Sequence, residues 1–176
     1  MKTVLILCTA NSARSILAEA ILNRVGEGRF KAYSAGSHPR GIPNARAIEL
    51  LSLLGYSVNG LRSKSWDEFA GPKAPPIDIV ITVCDAAAGE SCPYWPGAPV
   101  RAHWGIPDPA GVDGGIDAER AAFKLAHDRL LTRFEELVAL PVETMKQDDL
   151  RLRLQDIAKR EGATAAVNSG KFEEHK

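Results

Sequence analysis

Between residues 77 and 83 the chain places Ile77, Ile79, Val80, Ile81 and Val83 almost side by side, leaving no face for water. A run so rich in branched apolar residues reads as a strand covered on both sides. Such strands belong in parallel sheets layered by helices. Residues 3–7 (TVLIL) read as a second short buried strand, and 31–34 and 100–102 as two more. Helical periods alternate with them. Leu17, Ile21 and Val25 recur after a start near Ser15, with Gly26 and Gly28 as the stop. Ala47, Leu51 and Leu54 follow Pro43, a suitable first helical residue, and Gly55 closes that helix. Phe123, Leu130, Phe134 and Leu137 form one stripe along residues 117–140. The alternation predicts a single doubly wound α/β domain: a short, mostly parallel central sheet flanked by helices. A further helix over residues 144–160, with Leu150, Leu154 and Ile157 inward, is expected as a C-terminal helical extension. Residues 162–176, small and charged, are expected to be a mobile tail.

Twenty-two Lys and Arg balance twenty-two Asp and Glu in 176 residues, so no global field draws nucleic acid or an anionic membrane. The apolar stretch near the start, residues 4–7, is too short for a secretory signal, and no run has membrane-spanning length. A cytoplasmic protein is expected. There, Cys8, Cys84 and Cys92 are reactive or buried thiols rather than a disulfide framework.

The strongest chemical signal is the loop 8–15. Cys8 follows a buried strand, five residues separate it from Arg14, and Ser15 opens a helix. Backbone N–H groups from Thr9, Ala10, Asn11, Ser12 and Ala13 can converge there on an anion at the helix start. The Arg14 guanidinium adds a planar fork for two oxygens of a tetrahedral oxyanion. The same donors should favour thiolate at Cys8, below the free value of about 8.5. Asn11 and Ser12 can brace the loop, and Ser15 can hydrogen-bond to the sulfur. A buried core thiol is the bland alternative for Cys8, and a surface arginine for Arg14.

The segments VLILCTANSARSILAEA, YSAGSHPRGIPNARAIELL, VITVCDAAAGESCPYWPG and HWGIPDPAG together resemble the low-molecular-weight tyrosine phosphatase fold, shared with thioredoxin-coupled arsenate reductases. The resemblance spans roughly residues 3–140. It implies a catalytic domain over 1–140 and an extension with tail over 141–176. It also implies Cys8 as nucleophile, Arg14 as oxyanion clamp, Asn11 as loop stabiliser, Ser15 as hydroxyl donor to the thiolate and Asp108 as general acid. Unaided, the sequence Pro107-Asp108-Pro109 is ordinary turn chemistry. Ala10 stands where the family usually has glycine; if the backbone there needs positive φ, alanine is strained by about 1 kcal/mol.

A phosphatase needs no second thiol. Cys84 ends the central strand and Cys92 follows in CDAAAGESC, with small residues between them. On periodicity alone, Cys84 is as well read as core. The resemblance to the reductases' cysteine pair implies a relay. Cys8 forms an adduct with arsenate, Cys84 attacks the Cys8 sulfur, and Cys92 resolves the disulfide for an external dithiol. The Cys84–Cys92 gap is one residue longer than the commonest reductase spacing. The aromatic residues that phosphatases carry near the late Asp-Pro are replaced by Ala110 and Gly111.

Arsenate reduction is therefore the expected activity. A phosphatase acting through phosphocysteine and a non-enzymatic oxyanion or arsenic sensor are the alternatives. No bound cofactor is expected; the implied donor is thioredoxin rather than glutaredoxin or glutathione, and the implied state is a monomer. Some relatives bind potassium near the loop. Ser34 and Ser63 match that site, but Ser65 stands where aspartate is typical, so no required metal is expected. His103 is expected to brace the Asp108 loop, and His127 to lie on a helix surface.

Overall fold

The chain starts and ends its strands so that all of them run the same way. In the structure, a computed structural model that describes residues 1–91, 93, 95 and 99–169, the strands are β1 (Lys2–Leu7), β2 (Phe30–Ala35), β3 (Ile79–Thr82) and β4 (Val100–His103). They pair in parallel in the order β2-β1-β3-β4. After β1 the chain builds outward on one side to β2, then returns to the other side for β3. The order therefore reverses between β1 and β3, and a crevice opens beyond their carboxyl ends. Cys8 follows β1 there, and Cys84 lies two residues beyond β3.

Alternate residues serve opposite faces of the sheet. Val4, Ile6, Ile79, Ile81 and Val100 face the larger core. There they meet α1 (Arg14–Val25), α4 (Gly115–Ala139) and α5 (Gln147–Ala158). Leu5, Leu7 and Val80 face a smaller one with Phe69, Ile77 and Trp95. The remaining helices are α2 (Ala45–Leu53), α3 (Asp85–Gly89) and the single turn α6 (Ala165–Asn168), with a 3-10 turn over Trp66–Phe69.

Three local differences from expectation have clear causes. First, α2 begins after Asn44 rather than at Pro43, because the Asn44 side chain accepts from the Arg46 N–H and caps the helix. Second, α1 is buried over every residue from Ser15 to Leu22, not along one stripe, because it packs under both β2 and α4. Third, His127 is only 3% exposed and bonds the Tyr56 hydroxyl, so it is a core histidine, not a surface one.

The extension joins the main core. Leu150, Leu154 and Ile157 of α5 are buried against β4 and α4, and the Trp104 indole packs on Phe134 and donates to the Leu154 carbonyl at 2.9 Å. Arg133 is fully buried; its guanidinium donates to the carbonyls of Arg129, Arg160 and Glu161 at 2.9, 2.9 and 3.2 Å. It also donates at 3.4 Å to the carbonyl of Ala158, the last residue of α5, where orphan acceptors and the helix dipole favour a cation. Of the segment read as a tail, Ala165–Asn168 forms a turn with Val167 buried. No described helix is long and apolar enough to cross a membrane.

Candidate active site

The loop after β1 is held open from outside. The carbonyls of Thr9, Ala10 and Ser12 accept from the N–H groups of His38, Arg40 and Asn44 at 2.9, 3.1 and 2.8 Å. Peptide planarity turns the N–H groups of Ala10, Asn11 and Ala13 the opposite way, into the loop. Gly36 makes this approach possible: a Cβ there would sit 2.4 Å from the Thr9 oxygen and 2.8 Å from that of Cys8.

Asn11 is the internal brace. Its φ is +42°, a left-handed conformation that asparagine tolerates, and it is fully buried. Its amide donates to Ser15 Oγ and Ser34 Oγ, both at 2.9 Å, and its carbonyl accepts the Lys64 N–H at 2.8 Å. The positive φ therefore falls on Asn11 and not on Ala10, so the strain expected for alanine does not arise. Ser15 engages Asn11; no hydrogen bond joins it to Cys8 among the described residues.

Behind this brace, the Glu19 carboxylate accepts from the Ser34 N–H at 3.1 Å and from the Ser34 hydroxyl. The Lys64 ammonium lies 3.4 Å from Glu19, with their side chains 4% and 10% exposed. Burial holds the Lys64 pKa below the ordinary lysine value, against the pull of Glu19. Ser63 has partners of its own: its Oγ donates to the Ala10 carbonyl and accepts from Gly41 N–H. Ser65 instead caps the 3-10 turn through Asp67 N–H. Among the described residues, no cluster of three or more His, Cys, Asp or Glu is placed to hold a metal.

Arg14 reaches over the loop mouth. One guanidinium nitrogen donates to the Ile106 carbonyl and the other to Asp108 Oδ2, both at 3.0 Å. Its Nε is buried and has no partner among the described residues, a donor in place for an anion's oxygen. Asp108 is half exposed on the facing loop, where its other oxygen accepts from Ala110 N–H.

Cys8 and Cys84 are both buried free thiols. Cys84 caps α3: its sulfur accepts from Ala87 N–H at 3.4 Å and from Thr9 N–H, the residue next to Cys8, also at 3.4 Å. The Cys8 thiol beside it, those two N–H groups and the Arg14 charge outweigh burial and bring the Cys84 pKa down to about 5. Cys8 moves the opposite way, pushed up by its hydrogen bond to Cys84, by burial and by the Cys84 charge, with Arg14 opposing. The sequence reading placed the thiolate on Cys8. In the structure the Thr9 and Ala87 N–H groups reach Cys84, so the two hydrogen-bonded thiols shift in opposite directions.

Three neighbours of this pair escape sequence reasoning. Thr9 Oγ1 donates to Glu90 Oε1 at 3.0 Å, which brings a carboxylate to the edge of the loop. Lys64 sits between Ser63, which matches a family position, and Ser65, which departs from one. His103 turns to Thr82 Oγ1 and Asp85 Oδ1, both at 2.8 Å, rather than to the Asp108 loop. None of these pairings has a local signal, because each joins residues far apart in the chain. Cys92 lies outside the described residues.

A thiol at the switch point of a parallel sheet, in a loop that turns its N–H groups inward beneath an arginine, is an arrangement suited to holding an oxyanion beside a thiol. The chain belongs to the low molecular weight phosphotyrosine protein phosphatase family, which matches residues 3–150. It is similar to the arsenate reductase of Halalkalibacterium halodurans (32% identical over 134 residues, 76% of this chain and 93% of that protein). It is also similar to the arsenate reductase of Bacillus subtilis, at 33% over 135 residues, covering 77% and 94%. Among solved structures, an arsenate reductase from Archaeoglobus fulgidus superposes with a TM-score of 0.61 at 28% identity, over 78% of this chain and 99% of that one.

Proposed function

We propose that the chain is an arsenate reductase that passes two electrons from its own thiols to arsenate and is restored by thioredoxin. The observation that carries this reading is the second thiol: Cys84 takes its hydrogen bond from Thr9, the residue beside Cys8, within the anion loop. The similarity to arsenate reductases over most of the chain supports it.

Arsenate is a tetrahedral oxyanion, and the inward N–H groups with Arg14 Nε are donors suited to hold it. The Cys8 sulfur attacks arsenic and forms an S–As bond. The thiol proton passes by way of Asp108 to an arsenate hydroxyl, which leaves as water. The Cys84 thiolate then attacks the Cys8 sulfur. The S–As bond breaks with its electron pair on arsenic, which falls from As(V) to As(III) and departs as arsenite. A Cys8–Cys84 disulfide remains. The Cys92 thiolate attacks Cys84, Cys8 leaves as thiolate, and the resulting Cys84–Cys92 disulfide is reduced by the thioredoxin dithiol.

The test is arsenate-dependent NADPH oxidation with thioredoxin and thioredoxin reductase, set against glutaredoxin with glutathione. Cys8→Ser abolishes turnover, and Cys84→Ser stops reduction. Cys92→Ser gives about one turnover and accumulates Cys8–Cys84. Turnover by Cys84→Ser at the parental rate would overturn the reading. Efficient hydrolysis of p-nitrophenyl phosphate without any arsenate reduction would favour the phosphatase reading, for which Cys8, Arg14 and Asp108 suffice.

A further inference from the structure

The C-terminal extension reaches the residue that follows Cys84. Asp85 opens α3, and its Oδ1 accepts the Thr164 hydroxyl at 2.7 Å and lies 2.8 Å from His103 Nε2. Thr164 stands at the head of α6 but does not cap that turn with its side chain; the hydroxyl goes to Asp85 instead. Its backbone N–H donates to the Gly105 carbonyl at 3.0 Å. The junction is tight. A Cβ on Gly105 would meet Asp85 Oδ1 at 2.4 Å, Thr164 Oγ1 at 2.5 Å and His103 Nε2 at 2.7 Å. Val167 anchors the turn in the main core, and Leu154 holds Trp104, the neighbour of Gly105. The family match ends at residue 150, so Thr164 lies beyond it.

We propose that Thr164 is a positioning residue for Cys84: the extension holds Asp85, and through it the first turn of α3, so that the Cys84 sulfur stays against the loop that carries Cys8. The consequence for arsenate rests on the reductase reading, but the effect on the Cys8–Cys84 pair does not. Thr164 touches no reacting atom. It sets how often the two sulfurs lie in line.

The experiment compares the parent with Thr164→Val and Thr164→Ser in a Cys92→Ser background, where the disulfide cannot move on. Diamide oxidises the pair: two thiols lose two electrons and two protons, one S–S bond forms, and diamide becomes the hydrazine. Acid quenching, alkylation and mass spectrometry give the rate of Cys8–Cys84 formation. Thr164→Val removes a hydrogen bond to a charged acceptor and slows this rate about ten-fold, and Thr164→Ser keeps it within about two-fold. Alkylation of Cys8 by iodoacetamide in a Cys84→Ser background reports the loop alone and is unchanged by Thr164→Val. Parental disulfide rates in Thr164→Val, no rescue by serine, an equal loss at Cys8, or no disulfide in the parent would each overturn the proposal. Asp85→Asn, which keeps the shape and weakens the acceptor, gives the same slowing if Thr164→Val fails to fold. Arsenate then replaces diamide in the same assay. A parent that forms the disulfide with diamide but not with arsenate sinks the reductase reading and leaves the role of Thr164 standing.

Discussion

Replacing Asn11 with alanine tests how the anion loop is held. The side chain makes two hydrogen bonds to serine hydroxyls and accepts one from Lys64 N–H, all at 2.8–2.9 Å. Losing the two serine bonds costs about 1 kcal/mol each, and leaving the buried Lys64 N–H unpaired about 1–3 kcal/mol. Alanine at a φ of +42° adds about 1 kcal/mol. Together these predict a loss of about 4–6 kcal/mol, a large share of the stability of a domain this size. With a urea slope of about 2 kcal/mol per molar, the unfolding midpoint falls by about 2–3 M. Asn11→Gly loses the same hydrogen bonds but accepts the left-handed backbone, so it stays about 1 kcal/mol more stable than alanine. Urea titrations followed by circular dichroism at constant slope read both differences. A midpoint for Asn11→Ala within about 0.5 M of the parent, or alanine matching glycine, would refute this account of the loop.

Three further outcomes follow from the same geometry. Gly36→Ala drives a Cβ into the Thr9 and Cys8 carbonyls, so the loop must shift; competition by phosphate in the arsenate assay then weakens at least ten-fold, by about 1.4 kcal/mol or more. The Cys84 pKa of about 5, below its ordinary value of 9.0, means that the anion forms as pH rises through 5. Ultraviolet thiolate absorbance should therefore show a thiolate across neutral pH, and its midpoint should rise in Cys8→Ala, where the largest stabilising donor is gone. Arg133→Ala strips donors from the carbonyls of Arg129, Arg160 and Glu161 and is expected to destabilise by about 3 kcal/mol, whereas Arg133→Lys, which keeps a charge, loses less in thermal melts.

Signals that lie close together in the chain were readable. Branched residues around Ile81 and the TVLIL run announce β3 and β1, and the Cys8–Arg14 spacing announces the loop, because strand, turn and helix start are written consecutively. The order of strands, which brings Cys84 to Cys8, follows from how parallel units wind, so the meeting of the two thiols was accessible as well. Which thiol carries the charge was not. That depends on where Thr9 N–H and Ala87 N–H point, and a backbone direction has no residue-type signature. The surface assignment of His127 failed for a related reason: its partner Tyr56 comes from a different helix connection, and the polar neighbours in sequence concealed the contact. Lys64 and Thr164 carried no warning either, since each acts through a carboxylate dozens of positions away.

Helix α5 carries the core past the edge of the family match. The family match stops at residue 150, inside that helix, yet Leu154 and Ile157 complete the core and Leu154 receives the Trp104 indole. A chain trimmed at residue 150 would bare the Trp104 indole N–H and the apolar surface that Leu154 and Ile157 cover. The segment beyond residue 150 is therefore no accessory that can be shed: the core within the matched residues leans on it.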